Sequence, residues 1–250
     1  MFKLCKTRFH QGYRTASYPA GSITLPPPYR GRPKVNQACH QDIVDQSVRA
    51  CPQGAIDGEN RLIDMGRCLF CGNCERTGNG EFVQFSQDFR LAAAERSHLL
   101  TSGELPDLAS HAKQHFKKLF GRALALRQVS AGGCNACEAD INVLNTPFFD
   151  LARFGISFTA SPRHADGIHV TGPVTRNMRA ALLATYEAIP EPKVVIASGA
   201  CAISGGPFYG SREITPLDSL LPVDLYIPGC PPHPMTTLDA LLQYFSAYHK

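Results

Sequence analysis

Ten cysteines in 250 residues hold most of the chemistry that this sequence can offer. Cys39, Cys51, Cys68, Cys71 and Cys74 lie in the first 80 residues, and Cys134, Cys137, Cys201 and Cys230 lie in the second half. Cys5 stands alone near the start. Disulfide scaffolds are small and secreted, so grouped cysteines in a chain this long point to metal or redox chemistry. Each second-half group follows the end of an expected strand, so loops from one sheet edge bring four thiolates together. Four sulfurs suit a [4Fe–4S] cluster, one per iron. Zinc also takes four thiolates, but its structural sites usually draw them from two close pairs. Here one pair joins two distant singles, and Cys230 precedes Pro231. That pattern favours a cluster, with zinc as the alternative. A buried small hydrophobe is a credible role for any one of these cysteines, but a weak one for four on one edge.

The first-half set follows a different rule. The bacterial ferredoxin run is C-x2-C-x2-C-x3-C-P, and in a two-cluster domain the fourth Cys of each run ligates the other run's cluster. Cys68, Cys71 and Cys74 begin one run, whose fourth position is Gly78. Counting back from Cys51-Pro52, the other run has Gln41, Val44 and Ser47 where cysteines would stand. The four missing ligands belong to one cluster. The four present, Cys51, Cys68, Cys71 and Cys74, belong to the other. The expectation is a ferredoxin-like domain that has lost one [4Fe–4S] cluster and kept one, with a structural zinc site as the competing reading. Cys39 is out of register, so it and Cys5 are expected to be unligated thiols.

The elements that must position these residues are of two kinds. Residues 1–33 form an N-terminal arm whose stretch YPAGSITLPPPYRGRP excludes helix and has little to pack. Residues 34–90 read as a compact α+β module in which GAI and RLID are short paired strands. Residues 91–122 read as a helical linker. One helix is expected over Leu91–Leu100 and another after Pro106, with Leu108, Ala112, His115 and Leu119 on one face. From residue 123 to 250, strands and helices alternate. Strands are expected at 123–129, 155–161, 166–172, 193–199 and 223–229. Helices are expected at Glu138–Arg153, Arg176–Ile189 and Met235–Tyr248. This is an α/β pattern, a parallel sheet covered on both faces with its site beyond the carboxyl ends of the strands.

Composition sets the outer bounds. The chain is 44% hydrophobic and 18% charged, which is globular. A net charge of +4 argues for no nucleic-acid partner. No run of about 18 apolar residues exists to span a membrane, and MFKLCKTRFHQGYR lacks the apolar core of a secretory signal. No nicotinamide fingerprint appears, and the glycines of SGACAISGGP lack the Lys-Ser/Thr ending of a phosphate loop. They serve instead to let backbone approach a cluster. Glu138 and Asp140 open a helix, where negative charge suits the dipole. The alternative is a proton or interface contact. Arg163 and His164 read equally as a solvated loop or a surface facing a partner.

A resemblance extends these readings. KLFGRALALRQVSAGGCNACEADIN, SPRHADGIHVTGPVTRNM, SGACAISGGPF and VDLYIPGCPPHP resemble the small subunit of membrane-bound, energy-converting [NiFe] hydrogenases, the formate hydrogenlyase type foremost, over about residues 118–245. They are similar also to the complex I subunit that carries the last cluster before quinone. That subunit uses adjacent cysteines, whereas Cys134-Asn135-Ala136-Cys137 has the hydrogenase spacing. The resemblance implies a flavodoxin-like domain with one [4Fe–4S] cluster facing a metal centre in a large subunit. The arm and the ferredoxin-like module resemble the two-cluster ferredoxin subunit of the same complexes. Two neighbouring subunits are then fused here, with one cluster deleted.

The implied function is electron relay between a donor and the active site of a hydrogenase-type or complex-I-type large subunit. The catalytic centre lies in that partner, because paired CxxC motifs for nickel are missing here. Two [4Fe–4S] clusters, other iron–sulfur subunits and membrane-arm subunits are implied, at the cytoplasmic face of the inner membrane and peripheral to it. A NADH/quinone oxidoreductase subunit and a zinc-stabilised assembly protein are the alternatives.

Overall fold

The computed structural model describes residues 2–101, 108 and 123–245. The chain opens with helix α1 (Phe2–Gln11), in which every residue is exposed. An extended arm leads to β1 (Pro33–Val35). Helix α2 (Gln41–Ala50) follows, with His40 as N-cap accepting a hydrogen bond from the Asp42 amide. Strands β2 (Ile56–Asp57) and β3 (Leu62–Ile63) then pair antiparallel. Short helix α3 (Asn73–Thr77) precedes β4 (Val83–Phe85), which returns antiparallel to β1. Val44, Ile56, Ile63, Phe82 and Val83 form the core of this small unit.

The second half is built on β5 (Leu124–Ser130), α4 (Ala136–Val143), β6 (Ile156–Phe158), β7 (Gly167–Thr171) and α5 (Arg176–Glu187). It continues through β8 (Val194–Ser198), α6 (Ala200–Ser204), β9 (Leu225–Ile227) and α7 (Pro234–Phe245). The five strands run parallel in the order β6-β5-β7-β8-β9. That is the flavodoxin-like doubly wound order, in which the chain reverses direction beside its first strand. Every residue of β7 and β8 is buried, because helices cover both faces. Leu126, Ile196 and Ile227 pack with Leu238 and Leu241 of α7 on one face. Ile168, Val170 and Val195 pack with Leu182 of α5 on the other. Each such side chain stabilises by about 1.5–3 kcal/mol.

Three expectations need correction. Leu91–Leu100 is not a helix. Ala93 exchanges both backbone hydrogen bonds with Tyr226, at 3.0 and 2.8 Å, so Leu91–Ala93 runs extended beside the sheet. Leu91, Ala92 and Ala93 are all buried, which one-sided helical packing does not allow. Only Arg96–Leu99 turns, as a 3₁₀ helix. The helix expected over Glu138–Arg153 ends at Val143; Pro147 has no amide to continue it, and Leu151–Phe154 forms a separate 3₁₀ turn. The arm does pack. Leu25 is buried in the larger core, and Tyr18, Ile23 and Tyr29 lie against it. The helix expected after Pro106 lies outside the described residues apart from Leu108, which is buried in that same core.

Side-chain contacts fasten the connecting segment to the first unit and the N-terminal arm to the second half. Arg96 grips the Asp64 carboxylate with two bonds of 2.8 and 2.6 Å. Arg153 donates to the carbonyls of Ala16 and Tyr18 at 2.8 and 2.9 Å. The Tyr18 hydroxyl donates to Asp239 on α7. Both cysteine sets are thereby held in one framework.

Candidate metal centres

The second-half set sits on the carboxyl edge of the parallel sheet. After β5, Gly132 (φ +99°) and Gly133 turn the chain, and Asn135 (φ +71°) starts α4 with Cys137 in its first turn. A Cβ on Gly172, after β7, would stand 2.5 Å from the Gly133 amide nitrogen, so these two loops approach as closely as backbone allows. The loops after β8 and β9 zip together through Gly199 N–H to Ile227 O and Ala200 N–H to Gly229 O, both 2.8 Å. They carry Cys201 and Cys230 to the same edge. A Cβ on Gly199 would lie 2.8 Å from the Cys137 Sγ, and one on Gly206 would lie 2.8 Å from the Cys201 Sγ. The glycines of SGACAISGGP therefore clear space around sulfur, as their sequence suggests.

All four thiols lie within reach of one another's charge. Burial, followed by the Glu138 charge and then the neighbouring thiols, pushes Cys137 up to about 12, and burial followed by Cys230 and Cys134 pushes Cys201 up to about 11. Burial also pushes Cys230 up. Such thiols resist ionisation by themselves. A bound cationic group inverts that preference, because coordination deprotonates a thiol outright.

Cys51, Cys68, Cys71 and Cys74 line one pocket with Ile56, Ile63 and Phe85, a space of about 350 Å³ counting the part open to solvent. Cys51 ends α2 and Cys74 sits in α3. Backbone amides of Ala55 and Phe70 point at the sulfurs of Cys51 and Cys68, each at 3.3 Å. Amides aimed at sulfur are among the groups that tune iron–sulfur potentials. Burial, then the neighbouring thiols, raises Cys68 strongly, and burial raises Cys74 to about 11. Among the described residues no three Cys, His, Asp or Glu close around a single ion. A lone zinc would hold its sulfurs about 3.8 Å apart.

Three of the four positions where the expected second ferredoxin cluster would need cysteines are tightly packed. Val44 and Ser47 are fully buried on α2. A Cβ on Gly78 would meet the Ser47 Oγ at 2.8 Å and Ile43 at 3.3 Å. Gln41 is exposed, and Cys39 is buried among apolar neighbours as a small hydrophobe. Cys5 is exposed on α1.

Glu138 is buried and accepts a 2.6 Å hydrogen bond from the Thr171 hydroxyl. Burial works to raise its carboxyl, but hydrogen bonds from Ser130 and Thr171 outweigh it and hold the group low. It ties α4 to the end of β7. Arg163 and His164 stand exposed in a 3₁₀ turn after β6.

A feature the spacing of cysteines did not reveal lies between the two sets. A cleft of about 670 Å³, counting its open part, is lined by Tyr29, Arg30, Phe70, Asp140, Cys230 and His233. Cys230 and Cys71 are close enough for their charges to interact. The only sequence signal is a pair of cations, Arg30 and Arg32, inside a Pro-rich stretch.

Comparison with known proteins agrees with this architecture. The family described as NADH ubiquinone oxidoreductase, 20 Kd subunit, matches residues 134–244. A probable membrane-bound hydrogenase subunit mbhJ of Pyrococcus furiosus is 44% identical over 126 residues, 50% of this chain and 75% of the relative. Formate hydrogenlyase subunit 7 of Escherichia coli is 45% identical over 127 residues, half of each chain. An NADH-quinone oxidoreductase subunit of Clostridium beijerinckii is 40% identical over 166 residues, 64% of this chain and 89% of the relative. With its flavodoxin-like sheet and four thiols at the sheet's carboxyl edge, the chain belongs to the family of the 20 kDa subunit of NADH–ubiquinone oxidoreductase.

Proposed function

We propose that this chain is a two-cluster electron-transfer subunit of an energy-converting hydrogenase complex of the formate hydrogenlyase type. One [4Fe–4S] cluster is held by Cys134, Cys137, Cys201 and Cys230, and another by Cys51, Cys68, Cys71 and Cys74. When bound, such clusters supply one-electron transfer at potentials set by charge, burial and hydrogen bonding. The observation that carries the reading is the convergence of two separate sets of four thiols, with Cys71 of one set in electrostatic reach of Cys230 of the other. In the first unit, Val44, Ser47 and Gly78 pack the space of a second ferredoxin cluster, which supports one cluster there rather than two.

The chain's own residues do three things. Burial shields Cys74 and partly shields Cys51, Cys68, Cys71, Cys137 and Cys201, while Cys134 and Cys230 stand at the exposed edge. Ala55 and Phe70 direct amide hydrogens at sulfur. Gly199 and Gly206 leave the room that Cys137 and Cys201 need. The catalytic centre then lies in a hydrogenase-type large subunit, reached from the sheet's carboxyl edge. Exposed Phe2, Leu4 and Phe9 beside Lys3, Lys6 and Arg8 on α1 support peripheral attachment at the cytoplasmic face, as an addition to partner contacts. No helix among the described residues is long and apolar enough to cross a membrane.

A complex-I-type quinone reductase is the second reading, favoured by relatives named as NADH-quinone oxidoreductase subunits. The Cys134–Cys137 spacing supports the hydrogenase type. The experiment is dye-linked hydrogenase activity of the assembled complex carrying Cys71→Ser or Cys201→Ala. Activity retained in the first and lost in the second supports the proposal. Equal retention in both would remove the second-half set from the catalytic path.

A further inference from the structure

We propose that Arg30 is a positioning residue for electron transfer, whose half-buried guanidinium supplies a positive charge that raises the reduction potential of the Cys51–Cys68–Cys71–Cys74 site, beside the exposed Arg76 that donates to the Cys71 carbonyl at 3.2 Å. This rests on the reading that the two thiol sets hold clusters.

The argument begins at Gly72. Its φ is +75°, and a Cβ there would lie 2.5 Å from the Arg30 Nε and 3.0 Å from its Cζ. The guanidinium thus lies against the backbone between Cys71 and Cys74, and a side chain at position 72 would push it aside. Arg30 also donates a long hydrogen bond, 3.4 Å, to the Phe70 carbonyl. Phe70 is the residue whose amide points at the Cys68 sulfur.

The arm that carries Arg30 is anchored on both sides. Gly31 N–H donates to Ser86 O at 2.8 Å and Arg32 N–H to Asp88 O at 3.0 Å. Gln87 donates to Tyr29 O at 3.0 Å. From the other half, the hydroxyls of Tyr29 and Thr236 share a 3.3 Å hydrogen bond, and the Tyr29 ring meets His233 edge-on at 5.1 Å. The backbone at residue 30 is therefore pinned to both cysteine-bearing units. Its side chain lines the cleft that also contains Cys230.

Among the described residues no carboxylate pairs with Arg30 within 4 Å. Among the described residues its charge is not spent on an ion pair. One electron passed to the first site by a one-electron donor adds one negative charge, with no bond made or broken, and leaves again toward the second site. A half-buried cation beside the thiolates favours the reduced form, since charges interact more strongly away from bulk water.

The test is a mediated redox titration, followed by electron paramagnetic resonance, of the anaerobically prepared full chain in its complex. Wild type, Arg30→Lys and Arg30→Gln are compared, with iron counted in each. Arg30→Gln should shift the first site's one-electron equilibrium toward oxidation about tenfold or more, ~59 mV per tenfold. The second site should shift less. Arg30→Lys should stay within about threefold of wild type. Equal shifts in Lys and Gln variants, or no shift in either, would overturn the tuning role. If Arg30→Gln loses iron, Arg30→Met keeps the stem's packing and takes its place. Loss of iron in both neutral variants, with retention in Arg30→Lys, would overturn tuning in favour of a structural role. Wild-type iron too low for two clusters would instead defeat the underlying reading, independently of Arg30.

Discussion

Gly199 and Cys137 compete for one point in space: a Cβ on Gly199 would stand 2.8 Å from the Cys137 sulfur. Gly199 has φ +90°, a conformation that L side chains rarely adopt. Gly199→Ala therefore strains the turn and displaces a proposed ligand together. The expected result is loss of the second-half cluster's paramagnetic signal with the first-half signal retained. Stability should fall by about 1–3 kcal/mol. Retention of both signals at wild-type intensity would show that this turn does not shape the site.

Cys39 and Cys5 separate ligands from bystanders. Cys39 is buried among Val44, Ile56 and Phe82, and Cys5 is exposed on α1. Cys39→Ala and Cys5→Ser should leave iron content unchanged. Cys39→Ala should lower stability by about 1 kcal/mol for the lost packing, read from denaturant midpoints. Loss of either cluster's signal in either variant would put the ligand register in error.

His169 on β7 is fully buried, and neither ring nitrogen has a partner among the described residues. Burial holds its pKa down at about 4, against an ordinary 6.5, with Glu138 opposing weakly. The unfolded chain takes up this proton below pH 6.5 and the folded one only below about 4. Stability is thus fully present above 6.5 and declines as pH falls toward 4, by at most about 3 kcal/mol. His169→Leu should flatten the stability profile in that window relative to wild type. Parallel profiles would show that His169 gains its proton in the fold as easily as in water.

The Tyr18 hydroxyl donates to Asp239, a buried carboxylate that burial raises and that Gln243 also contacts. Tyr18→Phe removes one donor and should cost about 1–2 kcal/mol. The arm should then become more sensitive to limited proteolysis, with iron content unchanged. Wild-type proteolysis in the variant would show that the Tyr18–Asp239 bond does not fasten the arm.

The sheet was legible because its strands are short apolar runs bounded by glycine, as in Val194–Ser198 followed by Gly199. The convergence of Cys134, Cys137, Cys201 and Cys230 followed from the rule for parallel sheets alone. Leu91–Ala93 was misread because its backbone partner, Tyr226, lies far along the chain, and local spacing contains no trace of it. The arm misled for a similar reason. Prolines exclude helix but do not show that Tyr18, Ile23 and Tyr29 find a surface made by α7 and the sheet. The role of Arg30 is not legible in the sequence, because it comes from Gly72, across a turn that no periodicity predicts.

Iron and acid-labile sulfide counted per chain, in anaerobically purified protein with its partner, test the two-cluster account most directly. Wild type should contain about eight irons and about eight sulfides, four of each per cluster. Cys71→Ser and Cys201→Ala should each fall to about four, losing different paramagnetic signals. A wild-type content near four irons, or zinc in place of iron at either set, would contradict the account.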